Sequence, residues 1–518
     1  MSGSNKTIAK NTLFLYFRML LVMVVSLYTS RVVLQVLGVE DFGTYNSVGG
    51  IVLLLSFVNG ALATGSSRFL TFELGTGNEQ KLKETFSSVL IVHAVLAVIV
   101  VLLAETAGLW FVYNKLVIPP ERLSAAIFTY HLSVVTIFFS ITQVPYNASI
   151  ISHEKMSIYA YVGIVEVFAK LIVVYALKIG DWDKLKLYAL LLCVIQVGIA
   201  LFYRGYCVVH FVETKSHLIL NKKIVKNVLG YSGWNLFANT AIALNNHGST
   251  ILINMFFNPA VVAARAVANQ VNMAANQFIN NFRTAANPQI VKRYAAGDIE
   301  GSKSLLLSST KYSFYLMLLL CLPICLVAEP LLRLWLGQVP EYSVEFLQIT
   351  IVTSLLQVFD SSFYVALYAK GRIRENAFLS PTIGFLVLPV SYIFFKLGFS
   401  PVSIAWCLLV SYGVVGLVVK PILIIKIVGY TWKDIFSVFK PCFNVLIMSS
   451  LLPLFFYIRG DCLIESEIVR CIFLVVLGVC SVGCCAWFIG LEKEIRIMLI
   501  VKFRSLLSSI FKEMRGHK

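Results

Sequence analysis

Stretches of roughly twenty mainly apolar residues recur from one end of this chain to the other, and no soluble core can absorb so many. Each is long enough to cross about 30 Å of hydrocarbon as a helix. Helix is the required form, because a lipid-facing backbone has no water to bond and must satisfy its N–H and C=O groups internally. Hydrophobic side chains make up 58% of the 518 residues and charged ones 13%. That is about half the charged share of an ordinary soluble domain. The expected class is therefore an all-α polytopic membrane protein. Trp110, Tyr113, Trp182, Tyr188, Trp335 and Trp432 sit near span ends, as an interfacial aromatic belt requires.

About fourteen spans are expected, at 11–37, 47–74, 86–113, 122–151, 156–179, 186–212, 229–256, 260–285, 306–336, 344–369, 376–396, 401–427, 438–458 and 468–490. The net charge of +17 does not signal nucleic acid, because the basic residues gather in alternate loops. The N-terminus, the even-to-odd loops and the C-terminus hold 30 Lys and Arg, the opposite loops hold 10, and Arg18, Lys170 and Arg265 lie deeper inside spans. By the positive-inside rule both termini are cytoplasmic. The exported loops are short, which leaves no room for a catalytic domain outside, and no enzyme activity is expected. The eleven cysteines fall mostly inside spans, with no disulfide or metal spacing. The basic start and apolar run imitate a signal peptide. The run is too long, however, holds Arg18 and lacks a small-residue cleavage site, so it reads as a retained first span.

The basic loop near Glu213 to Lys226 divides the chain. The expected organisation is a six-helix bundle over 1–213, a basic cytoplasmic linker over 214–228, a second six-helix bundle over 229–427, two further helices over 428–491 and a basic amphipathic tail over 492–518. A shift of 220 residues superposes Gly77 on Gly297 and Lys83 on Lys303, consistent with two bundles of one orientation that rock about a substrate path. Gly49, Gly50, Gly60 and Gly65 suit close helix approach. Pro145, Pro323 and Pro389 suit kinks.

Ionisable and amide groups inside spans are costly and usually face a cavity or a partner. Arg18 and Arg265 are permanent cations at staggered depths, suited to an anionic head group, since guanidinium binds phosphate in bidentate fashion. Snorkelling to the nearer interface is the competing account. Glu166 and Lys170 stand one helical turn apart and can neutralise each other. With Asp360 they are the candidates for coupling to a proton or sodium ion. The seventh and eighth spans carry Asn239, Asn245, Asn246 and His247, then Asn269, Asn272, Asn276 and Asn280 at helical spacing. Amides and His can bond sugar hydroxyls or hold helices together. No metal-binding or catalytic set stands out.

The segments Val36-Leu-Gly-Val-Glu-Asp-Phe-Gly-Thr-Tyr45, Ser67-Arg-Phe-Leu-Thr-Phe-Glu-Leu-Gly-Thr-Gly-Asn78, Ala266-Val-Ala-Asn-Gln270, Ala286-Asn-Pro-Gln-Ile290, Tyr294-Ala-Ala-Gly-Asp298 and Ala369-Lys-Gly-Arg-Ile-Arg374 together resemble the Wzx-type polysaccharide flippases of the multidrug/oligosaccharidyl-lipid/polysaccharide exporter superfamily. The resemblance implies two helical lobes around a central cavity and no covalent chemistry or cofactor. It implies an undecaprenyl-pyrophosphate-linked oligosaccharide carried across the bacterial cytoplasmic (inner) membrane for O-antigen or capsule synthesis. Arg18 and Arg265 match by position the cationic residues that related lipid-precursor flippases use in the first and eighth spans. Polysaccharide polymerase and chain-length machinery would be partners, with membrane lipids. The competing reading is a multidrug cation antiporter of the same superfamily, which wants carboxylates in its cavity, whereas the first span offers Arg18 and no acid. In this topology a cysteine at Pro119 reacts with an impermeant thiol reagent on intact cells; labelling only after lysis reverses the orientation.

Overall fold

The computed structural model describes residues 2–153, 155–215, 219–372, 374–459, 466–492 and 496–497, with the side chains of 2–20 and some other helical positions outside the described set. The protein is an all-α polytopic membrane protein, and ten of its described helices are long and apolar enough to cross a membrane. In chain order its helices are α1 (Ser2–Leu54), α2 (Phe57–Thr76), α3 (Glu79–Lys115), α4 (Pro120–Ser152), α5 (Met156–Ala176), α6 (Lys184–His210), α7 (222–256) and α8 (Pro259–Ala295). They continue with α9 (Ile299–Leu326), a short α10 (Ala328–Leu336), α11 (Ser343–Lys370), α12 (Arg374–Lys396), α13 (Ser403–Val428), α14 (Trp432–Arg459) and α15 (Glu467–Gly490). The expected spans at 47–74, 156–179, 229–256 and 260–285 fall on α2, α5, α7 and α8, which are helical but outside the ten. Of the expected tail over 492–518, only Glu492, Arg496 and Ile497 are described.

Helix ends follow local chemistry. Gly77 takes a left-handed φ of 70° and its N–H bonds the Leu74 carbonyl, closing α2. Asn78 then caps α3 by accepting from the Lys81 N–H at 3.0 Å. The device recurs 220 residues on. Gly297 has φ 83°, its N–H bonds the Tyr294 carbonyl, and the Asp298 side chain accepts from the Gly301 N–H at 2.9 Å. Both are glycine closures followed by Asx caps.

Two boundaries differ from expectation. The first and second spans were expected to part over 38–46, but α1 runs on to Leu54 and merely kinks at Gly38 (φ 79°, ψ 170°), a conformation only glycine holds cheaply. The real break comes at Leu55 and Ser56, whose N–H groups turn back to Val52 and Leu53 carbonyls at 3.1 and 3.0 Å. The ninth span, expected to reach 336, ends at Leu326. The separate α10 begins at Ala328, and Pro330 lies in its first turn, where a missing N–H costs nothing.

The chain forms two compact units. One comprises Met1–Ala274, Leu332–Thr350 and Arg374–Ser411; the other comprises Ala275–Leu331, Ile351–Ile373 and Tyr412–Lys518. In the first, α4 packs along α6 and α2 packs on α4 and α7, with Val48, Ile51, Ala97, Val100, Tyr130 and Ile141 at one centre. In the second, the Phe314 and Phe359 rings stack with centroids 5.2 Å apart, Phe439 meets Phe359 edge-on at 5.0 Å, and α9, α14 and α15 pack together. Lipid tails are as apolar as these side chains, so close fit rather than water exclusion holds such helices together.

Small residues make that fit. A Cβ on Gly43 would strike the Pro259 carbonyl, so α1 passes against the very start of α8. Gly60 lies under the Asn239 side chain and Gly50 under Thr250. Gly49 has open space beside it and serves a different end, considered below.

Where the first unit meets the expected outer face, one guanidinium ties the starts of α4 and α6 to α1 just past its kink. Arg122 donates from Nε and Nη2 to both Asp41 oxygens at 2.7 and 2.6 Å, and from Nη1 and Nη2 to Asp183 at 2.9 and 3.1 Å. Partial burial alone would raise the Asp183 carboxyl, but Arg122 and the Lys186 N–H overcome it and hold the group below the ordinary carboxylate range. The bond's contribution is thus complete above the ordinary carboxylate value and fades only as pH falls through the lowered one.

Gly43→Ala should lower the unfolding midpoint of the purified protein, at a cost of about 1–3 kcal/mol from overpacking. Gly49→Ala, with space to fill, should leave it unchanged; equal behaviour of the two removes the close contact as the reason.

Candidate functional site

Polar side chains on six helices of the first unit converge on a cavity of about 840 Å³. After the kink, α1 contributes Tyr45, Asn46 and Gly49, then Leu53 beside the break at Ser56. Gly49 therefore opens space where a larger residue would close it. On α4, Ser133, Thr136 and Ser140 follow helical spacing i, i+3, i+7 and present one hydroxyl face. From α5 comes Lys170, and from α6 come Cys193 and Gln196. Helix α7 adds Asn246, His247 and Thr250, and α8 adds Asn269, Gln270 and Asn272.

These groups are partly committed. Ser133 and Thr136 return their hydroxyls to the Thr129 and Leu132 carbonyls, and Asn46 bonds the Phe42 carbonyl at 2.7 Å. Gln270 accepts from the Ser30 hydroxyl at 2.5 Å and donates to the Ser26 carbonyl at 3.3 Å, pinning α8 to α1. Asn59, one turn into α2, donates to Ser140 at 3.2 Å. The Lys170 ammonium reaches Glu166 at 2.6 Å, and Gln196 donates to the same carboxylate oxygen at 3.1 Å. Lys170 thus brings its counter-charge with it. Among the described residues lining the cavity there is no carboxylate. The surface can bond hydroxyls and amides and offers one ammonium.

Next to the cavity, α7 changes pitch. Leu244–Gly248 is a single π-helical turn, which frees carbonyls from the regular ladder. Arg265, buried at 5% exposure, donates from Nη1 to the Asn246 carbonyl at 2.9 Å and to the Thr250 hydroxyl at 2.6 Å, and from Nη2 to the Asn245 carbonyl at 3.2 Å. The guanidinium is thereby spent on the backbone that presents Asn246 and His247. It does not line the cavity.

Of the residues singled out in the sequence, Lys170, Asn246, His247, Asn269 and Asn272 come together here. The others lie elsewhere. Asn245 is buried, its amide nitrogen facing Gly384. Asn239 packs on Gly60. Asn276 belongs to the second unit, donating to Ser354 at 2.9 Å. The stripe from Asn269 to Asn280 is therefore not one lining surface. Arg18 lies on α1, its side chain outside the described residues. Asp360, in the second unit, pairs with Lys420 at 2.9 Å. Lys420, which sequence position assigned to a loop, is buried, lies 5.1 Å from the Tyr364 ring centroid, and sits between two π-helical turns, Val415–Val419 and Ile424–Val428. On the same unit Arg283 bonds the Ser361 hydroxyl at 2.5 Å. The Ser133/Thr136/Ser140 stripe was not picked out in the sequence, although its spacing is the signal that could have found it; Lys420 had no such signal, since only packing reveals its partner.

The polysaccharide biosynthesis protein family matches residues 8–294, more than half of the chain and the whole of the cavity. The chain belongs to that family. No curated protein sequence matches this member. Its fold is similar to that of the lipid II flippase MurJ in an inward closed conformation, with TM-score 0.70 at 10% identity over 92% of this chain and 98% of that one. It is also similar to an inward-facing multidrug resistance MATE transporter of the MOP superfamily (0.62, 15% identity, 78% and 94% covered). A third similar structure is a MOP superfamily transporter from Pyrococcus furiosus, described as having a binding pocket of reverse polarity (0.56, 16% identity, 81% and 96% covered). At these identities the likeness shows the fold. This member of the family is accordingly a multi-pass membrane protein that shares the fold of those structures.

Arg265→Met should cost several kcal/mol, because it strands buried carbonyls in a place without water. Arg265→Lys should recover part of this. Melting of the detergent-purified variants checks it; full transport loss at unchanged melting would instead mark a ligand contact.

Proposed function

We propose that this member of the polysaccharide biosynthesis protein family translocates an undecaprenyl-pyrophosphate-linked oligosaccharide across the bacterial cytoplasmic membrane by alternating access, in surface polysaccharide synthesis of the O-antigen or capsule type. The observation that carries the reading is the cavity: about 840 Å³, lined by amides, hydroxyls and one lysine, with no carboxylate among its described residues. Sugars present hydroxyls and amides, and such a lining bonds them without fixing a single geometry. Arg18 is the residue of choice for the pyrophosphate, as a fixed guanidinium on the first span. Arg265 acts in this reading through the π turn, holding Asn246 and His247 toward the sugar, rather than on the phosphate itself. Asp360, salt-bridged to the buried Lys420, is the candidate for coupling to a proton or sodium ion, since a carboxylate in lipid that can exchange its counter-ion is a means of sensing a gradient. Both termini are cytoplasmic in this reading, and a polymerase and chain-length proteins receive the product.

The competing reading, a multidrug cation antiporter, is disfavoured by the same lining, because a cationic drug held in low dielectric needs a carboxylate beside it. The test is complementation of a strain deleted for the protein, comparing wild type with Arg18→Ala and with the double variant Asn269→Leu/Asn272→Leu at matched protein levels. Mass spectrometry should find the complete lipid-linked repeat accumulating in the deletion, relieved by wild type and, by at least tenfold less, by the variants. Unaltered lipid-linked intermediates together with raised sensitivity to cationic compounds would replace the flippase with the antiporter.

A further inference from the structure

The first two turns of α7 carry a surface that neither the cavity nor the translocation reading uses. Asn221 starts the helix, its side chain accepting from the Lys223 and Ile224 N–H groups at 3.1 and 3.4 Å. Lys222, Val225, Lys226, Leu229 and Gly230 then fall at i, i+3, i+4, i+7 and i+8, which places them on one helical face. With Leu220 they line a shallow groove of about 610 Å³.

We propose that this groove is a binding site for an anionic phospholipid of the leaflet that the basic loops face. Its chemistry changes in the order that a lipid's does. The two ammonium groups come first and the apolar floor follows. From Lys222 to Leu229 is about 10 Å along the axis, close to the depth of roughly 5–8 Å over which a bilayer passes from head groups to hydrocarbon. Leu220 and Leu229 are 53% and 42% exposed, so the apolar part is available. Gly230 has nothing within 4 Å of where a Cβ would stand, which leaves width for an acyl chain.

The charge argument selects the head group. No acidic residue stands in the first turn of α7 or lines the groove. Lys222 and Lys226 make no ion pair among the described residues, whereas Lys303 and Lys311 on other helices are paired with Asp434 and Glu492 at 2.8 and 2.7 Å. Glu84 accepts from the Asn221 amide at 3.4 Å beside the groove but pairs with neither lysine, and two cations one turn apart favour a head group with net negative charge over a zwitterion, which brings its own cation to the same place.

The full-length protein, purified in mild detergent, should retain phosphatidylglycerol over phosphatidylcholine by roughly tenfold or more in native mass spectra. Lys222→Ala/Lys226→Ala should bring the two lipids level. Gly230→Leu, whose Cβ meets nothing within 4 Å, should reduce phosphatidylglycerol retention severalfold, and Lys184→Ala, at the start of α6, should behave as wild type. Melting in phosphatidylcholine alone should be the same for all four proteins, so that any loss is not unfolding. Equal retention of both lipids by wild type, or unchanged preference in the double variant, overturns the proposal. So does complete competition by millimolar inorganic phosphate, which would make the groove a free-phosphate site, or an unaffected Gly230→Leu, which would leave two surface lysines without an acyl site.

Discussion

A helix that departs from its regular ladder inside a membrane must find new donors for the carbonyls it frees, and Arg265 is the answer to that constraint in the first unit. Its guanidinium takes the Asn245 and Asn246 carbonyls and the Thr250 hydroxyl together. Without those bonds the π turn of α7 would leave buried acceptors unmet, at several kcal/mol in lipid. With them, the turn is held, and the side chains it carries reach the cavity. The cation is thus part of the scaffold by virtue of the same desolvation that makes an intramembrane arginine look functional in a sequence.

The same solution recurs with different side chains. The Tyr130 hydroxyl donates at 2.6 Å to the Ala104 carbonyl, where α3 makes its own π turn. In the second unit the Tyr315 hydroxyl reaches the Gly490 carbonyl at 3.3 Å, at the end of the π turn in α15. Each of these three irregularities is matched by a donor from a neighbouring helix, so the departure from regular helix and the interhelical bond go together there. Lys420 follows a related rule, with Asp360 as the partner that its position between two π turns requires.

Hydropathy made the fold class legible because length and apolarity alone decide whether a segment can cross lipid. Gly77 and Gly297 were legible as turns, since a glycine before an Asx residue closes one helix and caps the next. The kink at Gly38 was misread as a loop, because a positive φ breaks the ladder at one residue without ending the helix. For the cavity, amide composition pointed to α7 and α8, two of the helices that line it, and picked out Asn246, His247, Asn269 and Asn272 from its lining. It could not tell them from Asn239 and Asn245, which have the same chemistry and face neighbouring helices. Nor could it tell an arginine that meets a ligand from one that meets its own backbone. Facing is set by the rotation of each helix, and here a single π turn alters that rotation.

That turn also changes how this chain can be compared with others. A bond closed over five residues instead of four takes one more residue into the turn than a regular helix does. A relative lacking the π turn at Leu244–Gly248 would therefore be one residue shorter there, and a gapless alignment would shift every position before it onto the wrong face. Correspondences drawn for Asn239 on one side and Thr250 on the other belong to two different registers, and the gap between them is a structural event rather than a loop of variable length.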